Sequence, residues 1–161
     1  MDIGEKEILD TVLKSKGYDI SKKDKLEDGD TSLSFLDLAN YANDKGLKAI
    51  GLALDLESLS KLKAPVILFV KIRKSEHFTI YKNMDKNYVY LADPSFGNIK
   101  VKVSKFKEMF YQRDDLQYPG KLLAIVPITD KQKTNIKHQF MDIKKSSNFI
   151  YENIRDKLIR N

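Results

Sequence analysis

The chain has 161 residues, 42% hydrophobic and 32% charged, which is enough for one core-bearing domain. It has no run of 18 apolar residues to span a membrane, and its charged start, Met1-Asp2-Ile3-Gly4-Glu5-Lys6-Glu7, is no secretory signal, leaving the compartment open between cytoplasm and periplasm. It has no cysteine and only two histidines, His77 and His138, which excludes disulfides, a thiolate or multi-histidine metal centre, and a cysteine nucleophile within these residues; no cofactor is expected.

The net charge of +6 is uneven. Residues 128–161 carry eight Lys/Arg against four Asp/Glu, while residues 1–127 carry twenty-one against nineteen, so the basic excess is mostly a property of the tail. The only basic run interleaved with apolar residues is Lys100-Val-Lys102-Val-Ser-Lys105-Phe-Lys107. Lysines at every second position read as the solvated face of an edge strand, where they block edge-to-edge pairing, so no nucleic-acid partner is expected.

Taken in order, Glu5 to Lys16 places Ile8, Leu9, Val12 and Leu13 at helical spacing, with Glu5 and Glu7 in the first turn and Gly17 as the stop. Tyr18 to Asp30 is polar and reads as a loop or short turn of helix. Thr31-Ser32 is the expected cap of a second helix, Leu33 to Lys45, ended by Gly46. Lys48 to Leu54 reads as a short strand, and Asp55 to Leu62 as one or two helical turns. Pro65 to Ile72 is almost continuously apolar, the pattern of a strand buried on both faces. His77 to Lys82 alternates, and Tyr88 to Ala92 is rich in β-forming residues. The polar run Asn83 to Asn87 joins these two as a hairpin, and Asp93-Pro94-Ser95-Phe96-Gly97 ends the second. A further strand, Ile99 to Val103, precedes a helix, Lys105 to Tyr111, that Ser104 is expected to cap; after the turn at Tyr118-Pro119-Gly120, Leu122 to Pro127 is a last buried strand.

The hairpin brings His77 towards Asp93. A turn of three residues, Met84 to Lys86, would set the two directly opposite, with Cβ atoms about 5 Å apart. A turn of two or four residues would set His77 opposite Ala92 and send Asp93 to the other side of the sheet, unless a bulge restores the phase. The same spacing also suits an ordinary strand-end histidine followed by an Asp-Pro turn. The pattern alone leaves these open.

The order of these segments resembles the bacteriocin-processing, double-glycine leader peptidases, papain-like cysteine peptidases of family 39 that are often fused to ABC exporters. Gly29-Asp30-Thr31-Ser32-Leu33 with Leu36, Ala39, Ala42 and Gly46 is similar to the family's G-x-T/S-L helix. Leu59 with Leu62-Lys63-Ala64-Pro65-Val66-Ile67 resembles the entry to its first core strand. His77-Phe78-Thr79-Ile80-Tyr81 resembles the H-F-x-V strand that carries the catalytic histidine, and Leu91-Ala92-Asp93-Pro94-Ser95-Phe96-Gly97 the A-D-P-x-x-G segment that carries the orienting aspartate. Ser104, Phe106 and Phe110 resemble the helix that follows. The resemblance covers about residues 5 to 127. It implies an α+β, papain-like fold with helices packed on an antiparallel sheet, His77 and Asp93 as catalytic residues, a peptide or leader-bearing protein as substrate, cleavage after a small-residue pair, and association with an export system.

One departure weighs against activity. The family's Cys-Gly segment and its upstream oxyanion glutamine find no match, and residues 1 to 4 start where the end of that first helix is expected. An imidazole and a carboxylate can move a proton, but cannot replace the sulfur that attacks a carbonyl. Two readings follow: a peptidase lacking its nucleophile helix, or a catalytically silent module of the same fold that binds peptide. No Walker-type loop is present. The expected division is a peptidase-like domain over 1–127 and a helical tail over 128–161. Ile136, Phe140, Ile143, Ile150, Ile154 and Leu158 form an apolar stripe there, interrupted by Ser147. That helix is expected to pack on the body or a partner helix, or to lie on a membrane surface, with His138 solvated.

Overall fold

The computed structural model describes residues 5–17, 33–134 and 138–141. They fall into two compact units, one within Met1–Ile50 and Ile125–Lys133, the other within Gly51–Ala124 and Thr134–Asn161. A six-stranded sheet has the order β1-β6-β2-β3-β4-β5, with β1 at Lys48–Leu54, β2 at Val66–Ile72, β3 at Ser75–Met84, β4 at Tyr88–Asp93, β5 at Gly97–Lys102 and β6 at Gly120–Val126. The pairings of β2 with β3 and β6, of β3 with β4, and of β4 with β5 are antiparallel. The fold is α+β, as the sequence implies.

In the first unit, α1 (Glu5–Ser15) and α2 (Phe35–Asp44) bury Val12, Leu13, Tyr41 and Ala42. Gly17 and Gly46, at φ 84° and 74°, follow these helices in the left-handed region that glycine enters without a Cβ penalty. The cap of α2 is not the expected Thr31-Ser32 but Ser34. Its hydroxyl accepts the Asp37 N–H at 3.2 Å, and its own N–H donates to Asp37 Oδ2 at 2.8 Å. Aspartate three residues beyond a serine closes this reciprocal box, so the helix starts later than the apolar pattern suggests. Lys16 pairs with Asp37 at 2.9 Å and Lys45 with Glu7 at 2.8 Å. The expected loop at Tyr18 to Asp30 lies outside the described residues.

The second unit holds the larger core. Alternate residues of four strands share one sheet face: Val66, Leu68 and Val70 of β2, Thr79 and Tyr81 of β3, Val89 and Leu91 of β4, and Ile99 of β5, all buried. Helix α3 (Leu56–Ser60) adds Leu59, and α4 (Val103–Phe110) adds Phe106, Met109 and Phe110. The opposite face of β2 is only half covered, so this strand is not buried on both faces as its apolar run suggests. Phe69 and Phe78 meet edge-to-face there, 5.8 Å between centroids, with the Lys121 ammonium over Phe69. Helix α4 begins at Val103 rather than after Ser104, and Lys102, at the N-cap, makes no side-chain cap bond. Gly120, bridged to Tyr111, leaves the space in which the Phe110 ring sits; a Cβ at this position would run into that ring.

Beyond β6, α5 is described over Asp130–Thr134, and His138–Met141 forms a 3-10 turn. The described part of the tail is therefore helical, α-helical at Asp130–Thr134 and 3-10 at His138–Met141. Ile136, the rest of the stripe from Ile143 to Leu158, and the side chain of His138 lie outside the described residues. Among the described residues no helix is long and apolar enough to cross a membrane.

Candidate active site

Three local features of β3 and β4 build the site. The first is the β2–β3 connection, a two-residue turn at Arg73-Lys74 that closes on Ile72 opposite Ser75. Arg73 adopts φ 58°, a conformation that costs an L-residue roughly 1–2 kcal/mol. The resulting register sets His77 opposite Val70, on the core face and near the end of the sheet.

The second feature is the β3–β4 turn. It lies at Asp85 to Tyr88, one residue longer and further along than the three-residue turn at Met84 to Lys86. Asp85 Oδ1 accepts the N–H groups of Asn87 and Tyr88, each at 2.8 Å, and fixes the reversal. Met84 then faces Val89 and Asn83 faces Tyr90. Continued unchanged, this register would bring Asp93 opposite Ile80, on the face away from His77. It does not continue: between Tyr81 and Asn83 the register shifts by one, leaving Lys82 as an extra residue in β3. Beyond the bulge Tyr81 faces Leu91 and Ile80 faces Ala92, so Asp93 falls across from Thr79, with His77 two residues along on the same face. The pair is therefore diagonal, not directly opposite.

The third feature is the turn after β4. Asp93 pairs with Gly97 across Pro94-Ser95-Phe96, and Gly97 takes φ 73°. Asp93 Oδ1 accepts the N–H groups of Ser95 at 2.9 Å and Phe96 at 3.2 Å. Its other oxygen, Oδ2, lies 2.8 Å from His77 Nε2. Residue type does not mark Ser95 and Phe96 as site components, since they contribute only backbone; the Asp-Pro-Ser sequence that favours such an aspartate-centred turn is the signal that finds them.

The Asp93 side chain is 1% exposed and that of His77 is 23% exposed. Burial alone would raise the Asp93 carboxyl, but hydrogen bonds from His77 and Ser95, with the imidazolium charge, hold it below the usual carboxylate range. The same hydrogen bond raises His77 above its ordinary value, against burial, which pushes the other way. An ionised carboxylate only accepts, so the neutral ring must carry its proton on Nε2 and present Nδ1 as the basic nitrogen. The couple can take a proton at Nδ1 and hand it back, with Asp93 stabilising the charged ring.

Among the described residues no hydroxyl is hydrogen-bonded to His77. Nor does any group of three or more His, Asp or Glu side chains gather there as a metal site. Two other buried polar groups lie close in sequence. Thr79, 1% exposed, directs its hydroxyl at the Ala92 carbonyl, and the Tyr81 hydroxyl has no partner among the described residues; burial pushes its pKa up to about 12.

This arrangement falls within a recognisable class. A sequence model of the peptidase C39 family matches residues 9–113, which include both His77 and Asp93. The chain belongs to the peptidase C39 family. It is 26% identical over 106 residues to a probable functional amyloid protease, FapD, of Pseudomonas fluorescens; the aligned part is 66% of this chain and 44% of that protein. The chain thus spans less than half the length of the FapD relatives it matches. It is 35% identical over 105 residues to an uncharacterized protein of Methanothermobacter thermautotrophicus, covering 63% of this chain and 72% of that one. Among solved structures, the peptidase domain of Streptococcus mutans ComA superposes with a TM-score of 0.50 at 17% identity, over 78% of this chain and 96% of that domain. That likeness is one of fold.

Proposed function

We propose that His77 and Asp93 are the imidazole–carboxylate half of a cysteine-peptidase centre, that the substrate is a leader-bearing peptide, and that the thiol is not supplied by this sequence, which contains no cysteine. The observation that carries the reading is the 2.8 Å contact of a buried carboxylate with Nε2 of a part-exposed histidine, which frees Nδ1 for proton transfer.

With a cysteine brought to Nδ1, the ring takes the thiol proton and the sulfur attacks the scissile carbonyl carbon. As the C–N bond breaks, the imidazolium returns the proton to the departing amine. Water then attacks the thioester carbonyl, giving up a proton to the same nitrogen, and the C–S bond breaks to release the acid and return the sulfur. Throughout, Asp93 keeps the ring oriented and its charge balanced. Membership of the peptidase family supports the reaction class. The resemblance of the His77 and Asp93 segments to the double-glycine leader peptidases supports cleavage after a small-residue pair and an export context.

A second reading, a peptide-binding module that does not cut, rests on the absence of cysteine from the sequence. One assay separates the two. The chain as given, and a form extended upstream of α1 by a Cys-Gly-bearing helix, are each incubated with a peptide carrying a Gly-Gly leader. The chain as given is expected to leave the peptide intact. The extended form is expected to cleave it and to lose about 10²–10⁴-fold in rate on His77→Ala. Cleavage unaffected by His77→Ala ends the catalytic assignment; no cleavage by the extended form, with the leader still bound, favours the silent module.

A further inference from the structure

We infer that Lys82 is a positioning residue for the His77–Asp93 couple, acting from the opposite side of the sheet by pinning the bulge that sets their register. The inference builds on the working role of that couple.

Lysine is among the residues least often buried, yet Lys82 is 8% exposed. It is also the extra residue of β3. Its side chain reaches past the neighbouring strand to β5, where Nζ donates to Asn98 Oδ1 at 3.2 Å. Asn98 stands opposite Ala92 on β4, one residue before Asp93. The same ammonium lies 5.1 Å from the centroid of Phe140, in the 3-10 turn. The adjacent Asn83 is held as well: its Nδ2 donates to the Met141 carbonyl at 3.4 Å, and its Oδ1 accepts the Met84 N–H at 2.8 Å.

The consequence is one of phase. A strand presents alternate residues to opposite faces, so the presence or absence of one residue decides whether Asp93 shares a face with His77 or with Ile80. Burial of Val89 and Leu91 on the core face also requires the bulged register. Lys82 adds to that choice, because its ammonium meets Asn98 on β5 and the Phe140 ring where β3 carries the bulge. Around His77 the strands present Val70 from β2, Thr79 along β3 and Asp93 from β4. The groups that move its titration are Asp93, through hydrogen bond and charge, and burial.

The test reads the couple without substrate or thiol, so it stands or falls apart from the peptidase reading. In the full chain, ring ¹⁵N and ¹H resonances of His77 are titrated, with His138→Gln resolving the assignment and Asp93→Asn giving the uncoupled reference. Lys82→Met is expected to move the His77 midpoint at least half way to that reference and to weaken the Nε2–H tautomer signature. Lys82→Arg, which keeps the charge and the reach, is expected to stay near wild type. A folded Lys82→Met chain with the wild-type titration and tautomer overturns the inference. Should Lys82→Met not fold, Asn98→Ala removes the acceptor and keeps the lysine: a displacement in the same direction supports the inference, and an unchanged His77 overturns it.

Discussion

Two aspartates at opposite ends of strand β4 make the same set of contacts with different results. Asp85, before the strand, accepts two turn N–H groups on Oδ1 and the Tyr90 hydroxyl on Oδ2 at 2.7 Å. Asp93, at its far end, accepts two turn N–H groups on Oδ1 and the His77 ring on Oδ2. Both carboxyls lie below their usual range, Asp85 chiefly through the Tyr90 hydroxyl and the Asn87 and Tyr88 N–H groups, Asp93 through its hydrogen bonds against the cost of burial. What separates them is solvent. The contacts of Asp85 face water, where another acceptor is always at hand. Asp93 is sealed in the core face with a titratable partner, so its charge must be answered by protein groups, and the histidine inherits that demand. A turn device used once for chain reversal becomes, when buried, a means of setting the basicity of a ring nitrogen.

The comparison is broken most severely by removing each carboxylate in turn. Asp93→Ala strands two turn N–H groups and an imidazole in a nearly closed site and is expected to cost about 2–4 kcal/mol in urea unfolding. Asp85→Ala should lower the midpoint much less, because water takes over its donors; equal losses would show that burial is not the deciding difference. Next in size is Tyr81→Phe. The Tyr81 hydroxyl is buried like Asp93 but unpartnered among the described residues, so deleting it should raise stability by about 1 kcal/mol, and a fall would reveal a partner for it.

A smaller effect is expected in the pH dependence of the His77→Gln deficit. His77 is raised in the folded state, so its contribution is complete below the ring's ordinary value near 6.5 and fades as pH rises through the higher folded value. Asp93 is lowered, so its contribution is present above the ordinary carboxylate value near 3.8 and fades as pH falls through the lower folded value. Denaturation of the two proteins across pH 3 to 9 should therefore show the widest gap between those limits, and a gap that grows above neutrality contradicts the pairing. The least change is expected for Tyr90→Phe, which takes one hydrogen bond from Asp85 and should leave the unfolding midpoint where it is.

Much of the fold is visible in side-chain pattern, because burial of one face enforces alternation. Lys48 to Leu54 is a strand with the limits its pattern suggests, and the strand at Tyr88 extends by one residue to Asp93. The meeting of His77 with Asp93 was written in the pattern only as an alternative. The phase depends on where the turn sits and whether a strand carries an extra residue, and Lys82 looks in the sequence like one more polar position before a turn. Its ammonium meets Asn98 and Phe140, sixteen and fifty-eight residues away, contacts that no local pattern records. The cap of α2 departs from the pattern for a related reason. Thr31-Ser32 and Ser34 are all good helix starters, and Asp37, three residues on, selects Ser34.

The close fit of Phe110 against Gly120 has a consequence for divergence. Because the aromatic ring occupies the volume a methyl group at 120 would need, position 120 cannot gain a side chain while Phe110 keeps its ring there. In chains that share this packing, a larger residue at the glycine should arrive together with a smaller one at the phenylalanine. Such a pair of compensating changes would mark the start of the last core strand as a coupled unit of descent.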